Sequence, residues 1–298
     1  MTLTEQEGFS SSVLISTYNW PAALEKVLWG FFAQTRRDFE LIIADDGSGS
    51  ETAELITRMA RRSPVPVTHV WQPDEGFAKC RILNKALALA RGQRIVVTDG
   101  DCVVRGDFVD THIREARPGR FLSGSYFKQN RQVSEAIDEA AVASQDCFTA
   151  RWLLDHGAPS RWRMVKLGGP RPVAWAMDRL FQANPSWNGH SASCLRSEAL
   201  SVNGFDEEMG YGGEDVEFGY RLNNTGLTAR RIRYATVVLH LFHERGYVSP
   251  EILAFNREVK DRTRAEKRTR TRHGVDRWIG PGGEARLAPQ DRVSRFGA

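Results

Sequence analysis

The sequence predicts an α/β fold with a mostly parallel sheet covered by helices on both faces. Short apolar runs alternate with helix-length segments through the first third of the chain. The ends of those runs carry polar clusters, Tyr18, Asp45 with Asp46, and Asp99 with Asp101, where open parallel sheets collect ligands. The 298 residues are 41% hydrophobic, enough to fill a sizeable core.

Taken in order, residues 12–16 form the first strand. It runs into Tyr18-Asn19-Trp20-Pro21, where Asn19 is placed to cap a helix and Pro21 suits its first turn. Residues 39–44 give a second strand before a helix from about 50 to 62, and residues 67–71 a third before a helix over 78–91. A fourth strand at 94–98 meets Asp99-Gly100-Asp101. From 120 to 187 the alternation lapses, and the stretch reads as a helical insertion. Its Trp152, Trp162 and Trp175 either pack a subdomain or touch an acceptor or a membrane surface. A strand over 230–240 leads to His240 and His243, and the helical pattern resumes from Pro250.

The net charge of +4 is modest, but the basic residues crowd toward the C-terminus. Residues 257–277 read as a solvated amphipathic helix with a loose tail, and contact with anionic lipid headgroups is the functional competitor. No nucleic-acid motif accompanies the charge, so no nucleic-acid partner is expected. Cys80, Cys102, Cys147 and Cys194 lack C-x-x-C spacing and read as reduced thiols. With neither a signal-peptide pattern nor an apolar run of membrane-span length, the expected location is the cytoplasm, with peripheral contact at the inner face of a membrane.

The chemistry-bearing residues suit a sugar nucleotide, whose diphosphate leaving group calls for a divalent cation. Asp101 is placed to bind that cation, and Asp99 to help position the ribose or the metal. His240 and His243, just after an apolar strand, bring two rings toward one point if the chain turns there, with His243 the first choice as ligand. An attacking hydroxyl must lose a proton, and Glu214 and Asp215 are the candidate bases. They follow Gly212-Gly213, where a helix N-terminus favours the ionised carboxylate.

Over residues 12–243 the chain resembles family 2 glycosyltransferases of the GT-A fold. The likeness rests on Ser16-Thr17-Tyr18-Asn19, Ala44-Asp45-Asp46-Gly47-Ser48, Gly76-Phe77-Ala78-Lys79-Cys80-Arg81 and Asp99-Gly100-Asp101. Residues 203–215, ending in Gly212-Gly213-Glu214-Asp215, are similar to the acceptor-side segment of galactosyltransferase-like members. The resemblance implies a Rossmann-like sheet with nucleotide-binding residues 12–119, the insertion 120–187, an acceptor-side half 188–249, and a basic helical extension at 250–298. It implies an inverting reaction with Asp215 as base, and assigns Ser16, Tyr18 and Asp46 to the nucleotide, the last two to a uracil. Arg81 falls to the nucleotide or pyrophosphate, Asp99 to the ribose and metal region, and Asp101 with His243 or His240 to Mn²⁺ or Mg²⁺. Trp187, Tyr211 and Gly213 fall to the acceptor or donor sugar. Tyr211 stands where many relatives have tryptophan.

The expected partners are therefore a nucleotide-sugar donor, UDP-linked, and a hydroxyl of a surface glycan or glycoconjugate. A nucleotidyltransferase would need a glycine-rich loop after the first strand, and Thr17-Tyr18-Asn19-Trp20-Pro21 has no glycine. A metal-dependent sugar-nucleotide hydrolase and a non-catalytic nucleotide-sugar-binding protein are the competing readings.

Overall fold

A computed structural model describes residues 9–159, 164, 166–167, 171–180, 186–244 and 249–297. Its first half is β1 (Ser11–Thr17), α1 (Pro21–Phe32), β2 (Phe39–Asp45), α2 (Ser50–Ala60), β3 (Val67–Trp71), α3 (Lys79–Leu89) and β4 (Arg94–Asp99). Strands β3, β2, β1 and β4 lie side by side and parallel, as the alternation predicts. β2 is buried along its whole length, because helices cover both faces and its apolar run is continuous. Strand periodicity divides the side chains between two cores. Val13 and Ile15 enter the core under α1 and α2, while Leu14 enters the core under α3.

The chain continues through β5 (Cys102–Val104), α4 (Phe108–Arg114), β6 (Arg120–Ser123), β7 (Ser125–Lys128), α5 (Arg131–Ala136), α6 (Glu139–Ser144), α7 (Ala150–Asp155) and α8 (Arg171–Leu180). It closes with β8 (Ala192–Leu195), α9 (Arg196–Ser201), α10 (Glu214–Asn224), β9 (Thr228–Arg231), β10 (Val237–His240), α11 (Pro250–Ala265) and β11 (Arg292–Phe296). The large sheet runs β11-β3-β2-β1-β4-β8-β6-β9, and a smaller one runs β5-β10-β7.

Several expectations are corrected here. The stretch 120–187 is not helical throughout, since it opens with β6 in the large sheet and β7 in the small one before the helices begin. Trp162 lies outside the described residues. The single strand expected over 230–240 is two strands in different sheets. Asp178 on α8 accepts from the N–H groups of Tyr234 and Ala235, donors that a continuous strand would spend on a ladder. Asn19 does not cap α1, whose N-cap is Trp20; its Oδ1 accepts from Gly49 N at the start of α2.

The C-terminal segment is neither one long helix nor a loose tail. α11 ends at Ala265, Lys267 takes a positive φ, and β11 later pairs antiparallel with β3. Lys85 of α3 lies 2.7 Å from Asp291 beside that strand, both side chains almost fully buried. All four cysteines are buried and free. No helix among the described residues is long and apolar enough to cross a membrane.

Candidate active site

A crevice of about 670 Å³ opens at the C-terminal ends of β1, β2 and β4. Ser16, Tyr18, Asp46, Asp99 and Asp101 line it from the N-terminal half. Tyr211, Gly213, Glu214, Asp215, His240 and His243 face them from the other half. Phe77, Tyr126 and Tyr211 add aromatic surface to its walls, Phe77 and Tyr211 in an edge-to-face pair.

The turn at Asp99-Gly100-Asp101 is drawn tightly over β1, with Gly100 N donating to Ser16 O at 2.7 Å. Asp99 Oδ1 accepts from Ser16 Oγ at 2.9 Å and pairs with Lys79 Nζ at 2.5 Å. Burial is the largest influence on the Asp99 carboxyl and pushes it up, but the charge and hydrogen bond of Lys79, with His190 and the Ser16 hydroxyl, together hold Asp99 below its ordinary value. Lys79 is held above its own ordinary value: burial opposes, and the carboxylates of Asp99, Glu214 and Asp215 prevail.

The two histidines reach Asp101 because β10 pairs antiparallel with β5, setting His240 opposite Cys102. Leu241 N then donates to Asp101 O at 2.9 Å. His243 Nε2 lies 3.4 Å and His240 Nε2 3.9 Å from Asp101 Oδ2, and the two rings stack. Each Nδ1 faces a backbone carbonyl, Leu241 O for His240 and Glu244 O for His243. That arrangement makes each Nδ1 a donor and turns each Nε2 toward Asp101. Burial, with a further push from Asp99, holds Asp101 above its ordinary value despite the imidazoles, so an added cation would be favourable there. Cys102 Sγ also lies near, but burial pushes its thiol up and it donates to Asp101 Oδ1. Among the described residues Asp101, Cys102 and His240 bring ligand atoms within 4.8 Å of one another, and His243 Nε2 also reaches Asp101, so a carboxylate with one imidazole is a donor set that fits a divalent transition ion.

The Gly212-Gly213 pair has positive φ at both residues. A Cβ at Gly212 would come 2.4 Å from the tip of Leu253, and one at Gly213 2.5 Å from the Lys260 ammonium; those side chains can swing aside, and it is the positive φ that favours glycine at both positions. Asn256 of α11, fully buried, donates to the carbonyls of Gly210, Tyr211 and Gly212. Glu214 opens α10 and accepts from Gly212 N at 2.9 Å. Asp215 accepts from Gly189 N at 3.2 Å and Val216 N at 2.7 Å. The expectation that the helix N-terminus keeps Asp215 readily ionised is corrected: burial, then the Glu214 charge, raise it to about 6.

At the other end, Asp46 accepts from Gln72 Nε2 at 2.6 Å and Ala78 N at 2.9 Å, and burial raises it to about 6. Tyr18 is half exposed and donates to Asp74 at 2.8 Å. Asp45 lies below the crevice, fully buried against His69.

Two assigned residues are not in the crevice. Arg81 turns away to pair with Glu75 at 2.5 Å. Trp187 is buried between Phe121 and Phe218 and has no surface to offer a sugar. Among the described residues, the basic side chain that does enter is Lys79, two residues earlier in the first turn of α3. Residues two apart point to different sides of a helix, and sequence alone does not say which side faces the ligand. His190 was also missed; it lines the crevice edge-on to Tyr126, and burial lowers it to about 4. Only β8's antiparallel return beside β4 brings its loop there.

Comparison with known proteins adds sequence and fold relationships. Residues 12–139 match the family described as glycosyl transferase family 2. A validoxylamine A glucosyltransferase from Streptomyces hygroscopicus subsp. jinggangensis is 27% identical over 236 residues, 72% of this chain and 52% of that protein. A hyaluronan synthase from Pasteurella multocida is 27% identical over 240 residues, 74% of this chain but 24% of that protein. The chain thus spans about half or less of the length of these curated relatives. Among solved structures, the mannosyltransferase PcManGT from Pyrobaculum calidifontis, in complex with GDP-Man and Mn²⁺, superposes with a TM-score of 0.54 at 20% identity, over 80% of this chain and 58% of that one. S. aureus TarS in complex with UDP-GlcNAc gives 0.56 at 16% identity, over 87% and 69%. At such identities the likeness is one of fold, and that fold is GT-A.

Proposed function

We propose, from the match of residues 12–139 to glycosyl transferase family 2, that the crevice moves a sugar from a nucleotide donor to a hydroxyl of a glycan or glycoconjugate, with inversion at the anomeric carbon. The observation that carries this reading is the convergence of Asp46, Asp99, Asp101 and Asp215 with two histidines on one crevice. UDP is the proposed nucleotide. The complex of TarS with UDP-GlcNAc supports it, as does a buried acceptor, Asp46, beside the aromatic Tyr18.

Asp46 and Tyr18 hold the base, and Ser16 and Asp99 the ribose side. Asp101 with His243, or with His240 in its place, would hold a divalent cation, Mn²⁺ in preference to Mg²⁺ because of the imidazole. When bound, the ion neutralises charge developing on the departing diphosphate. Asp215 takes the proton from the acceptor hydroxyl, whose oxygen bonds to the anomeric carbon as the nucleoside diphosphate leaves with the electron pair of the broken bond. Lys79 balances the carboxylates around that point, and Tyr211, with Gly213 beside it, forms the sugar-facing wall. The glucosyltransferase and hyaluronan synthase relatives support a glycan or glycoconjugate hydroxyl as acceptor.

The test is a thermal-shift panel of nucleotide sugars with Mn²⁺, followed by product analysis with the stabilising donor and a panel of glycan acceptors. A UDP-sugar should raise the melting temperature and yield a glycoside of inverted configuration. Release of free sugar with every acceptor would make water the acceptor and the protein a hydrolase. Binding without turnover would leave a nucleotide-sugar-binding protein.

A further inference from the structure

At the margin of the large sheet opposite β11, edge strand β9 walls a second cavity of about 830 Å³ that shares no lining residue with the crevice. The segments on either side of α4, the start of β6, α8 and the turn after β9 supply the other walls. Seven arginines line it against three carboxylates, and each carboxylate is already engaged. Asp107 pairs with Arg105 at 2.6 Å, Glu115 pairs with Arg230, and Asp178 holds the backbone of Tyr234 and Ala235. Positive charge is left over. Among the described residues, Arg117 donates only to the carbonyls of Arg114 and Ala116, and Arg120 makes no ion pair.

The arginines also crowd one another. Burial is the main influence holding Arg230 below its ordinary value, and the charges of Arg117, Arg120 and Arg179 add to it. An oxyanion between such guanidiniums would relieve the repulsion and accept paired N–H donors. Several surplus charges call for a multiply charged anion, and a phosphate group carries nearly two charges near neutrality where a carboxylate carries one. At the lip, Trp175 is half exposed with the Arg179 guanidinium stacked on it at 3.9 Å, a flat face for an organic ring.

The geometry points to this cavity as a second binding site, for a discrete compound bearing more than one phosphate group with a ring resting against Trp175. Guanidiniums arriving from several elements around a cavity suit a ligand that enters it better than a flat lipid surface. None of these residues belongs to the crevice, so the site stands whether or not transfer occurs there.

Inorganic pyrophosphate titrated calorimetrically into the full chain in chelator tests it, beside the Arg117→Ala/Arg120→Ala variant. Both side chains are exposed and unpaired with carboxylates, so the fold should survive, and an unchanged melting temperature checks that. The wild type should bind pyrophosphate with an affinity that falls as salt rises. The variant should bind at least about tenfold more weakly, the scale of lost charge-assisted hydrogen bonds, with UDP affinity in Mn²⁺ unchanged. Equal pyrophosphate affinity in the two proteins, or no binding to either, overturns the site. Binding to phosphatidylglycerol vesicles without binding of pyrophosphate assigns the arginines to a lipid surface and overturns it equally.

Discussion

Lys79 Nζ lies 2.5 Å from Asp99 Oδ1, so the first carboxylate of the Asp99-Gly100-Asp101 turn is already neutralised and only the second faces the histidines. This divides the two aspartates into different tasks. Lys79→Ala should leave Asp99 without its partner and lower stability by about 1–3 kcal/mol or more, the cost of an unsatisfied buried group. Urea unfolding of Lys79→Ala, Asp99→Asn and the double variant checks it; the double variant should recover part of the loss.

Asp215→Asn should keep donor affinity and lose transfer by roughly 100-fold or more, the usual scale of general-base assistance. The base must be ionised to accept a proton, so kcat/KM should fall as pH drops through about 6, the value to which Asp215 is raised. Glu214→Gln removes the neighbouring charge that contributes to that rise. The acid limb of its pH profile should therefore move to lower pH. An acid limb unmoved by Glu214→Gln and still present in the residual activity of Asp215→Asn would place the base elsewhere.

Asp46→Ala should weaken UDP binding by about 1–3 kcal/mol, since it removes a buried acceptor. Arg81→Ala should change it little, because that guanidinium is turned to Glu75 outside the crevice. Calorimetry with UDP and Mn²⁺ distinguishes the two. A large loss on Arg81→Ala would mean that donor binding draws the side chain inward.

His243→Ala, or His240→Ala if that ring is the ligand, should raise the Mn²⁺ concentration needed for half-maximal activity, by removing an imidazole aimed at Asp101. Full activity in chelator, with no metal carried by the purified protein, would leave Lys79 as the cation that stabilises the leaving group.

Deleting residues 289–298 should destabilise the whole protein. It strips β11 from β3 and leaves the Lys85 ammonium buried without Asp291. The expected loss is about 3–5 kcal/mol, the scale for breaking a buried ion pair on one side. An unchanged urea midpoint would return this segment to the status of an appendage.

The sequence by itself determined the parallel strands, the helices between them and the strand-end clusters, because apolar periodicity and chain alternation are local properties. It also marked Asp101, Asp215 and the histidines, whose residue types announce their chemistry. Only the tertiary structure decided which neighbours share that space. Lys79 rather than Arg81 enters the crevice, since the facing of a helix is set by what packs on it. Trp187 is a core residue because Phe121 and Phe218 enclose it from distant elements. Asp215 is raised rather than kept readily ionised, since burial is a property of the assembled fold and outweighs the helix terminus. The charged C-terminal segment reads as a solvated tail because strand pairing is non-local. Its final strand finds a partner in β3, more than two hundred residues earlier, and no pattern within those residues names that partner.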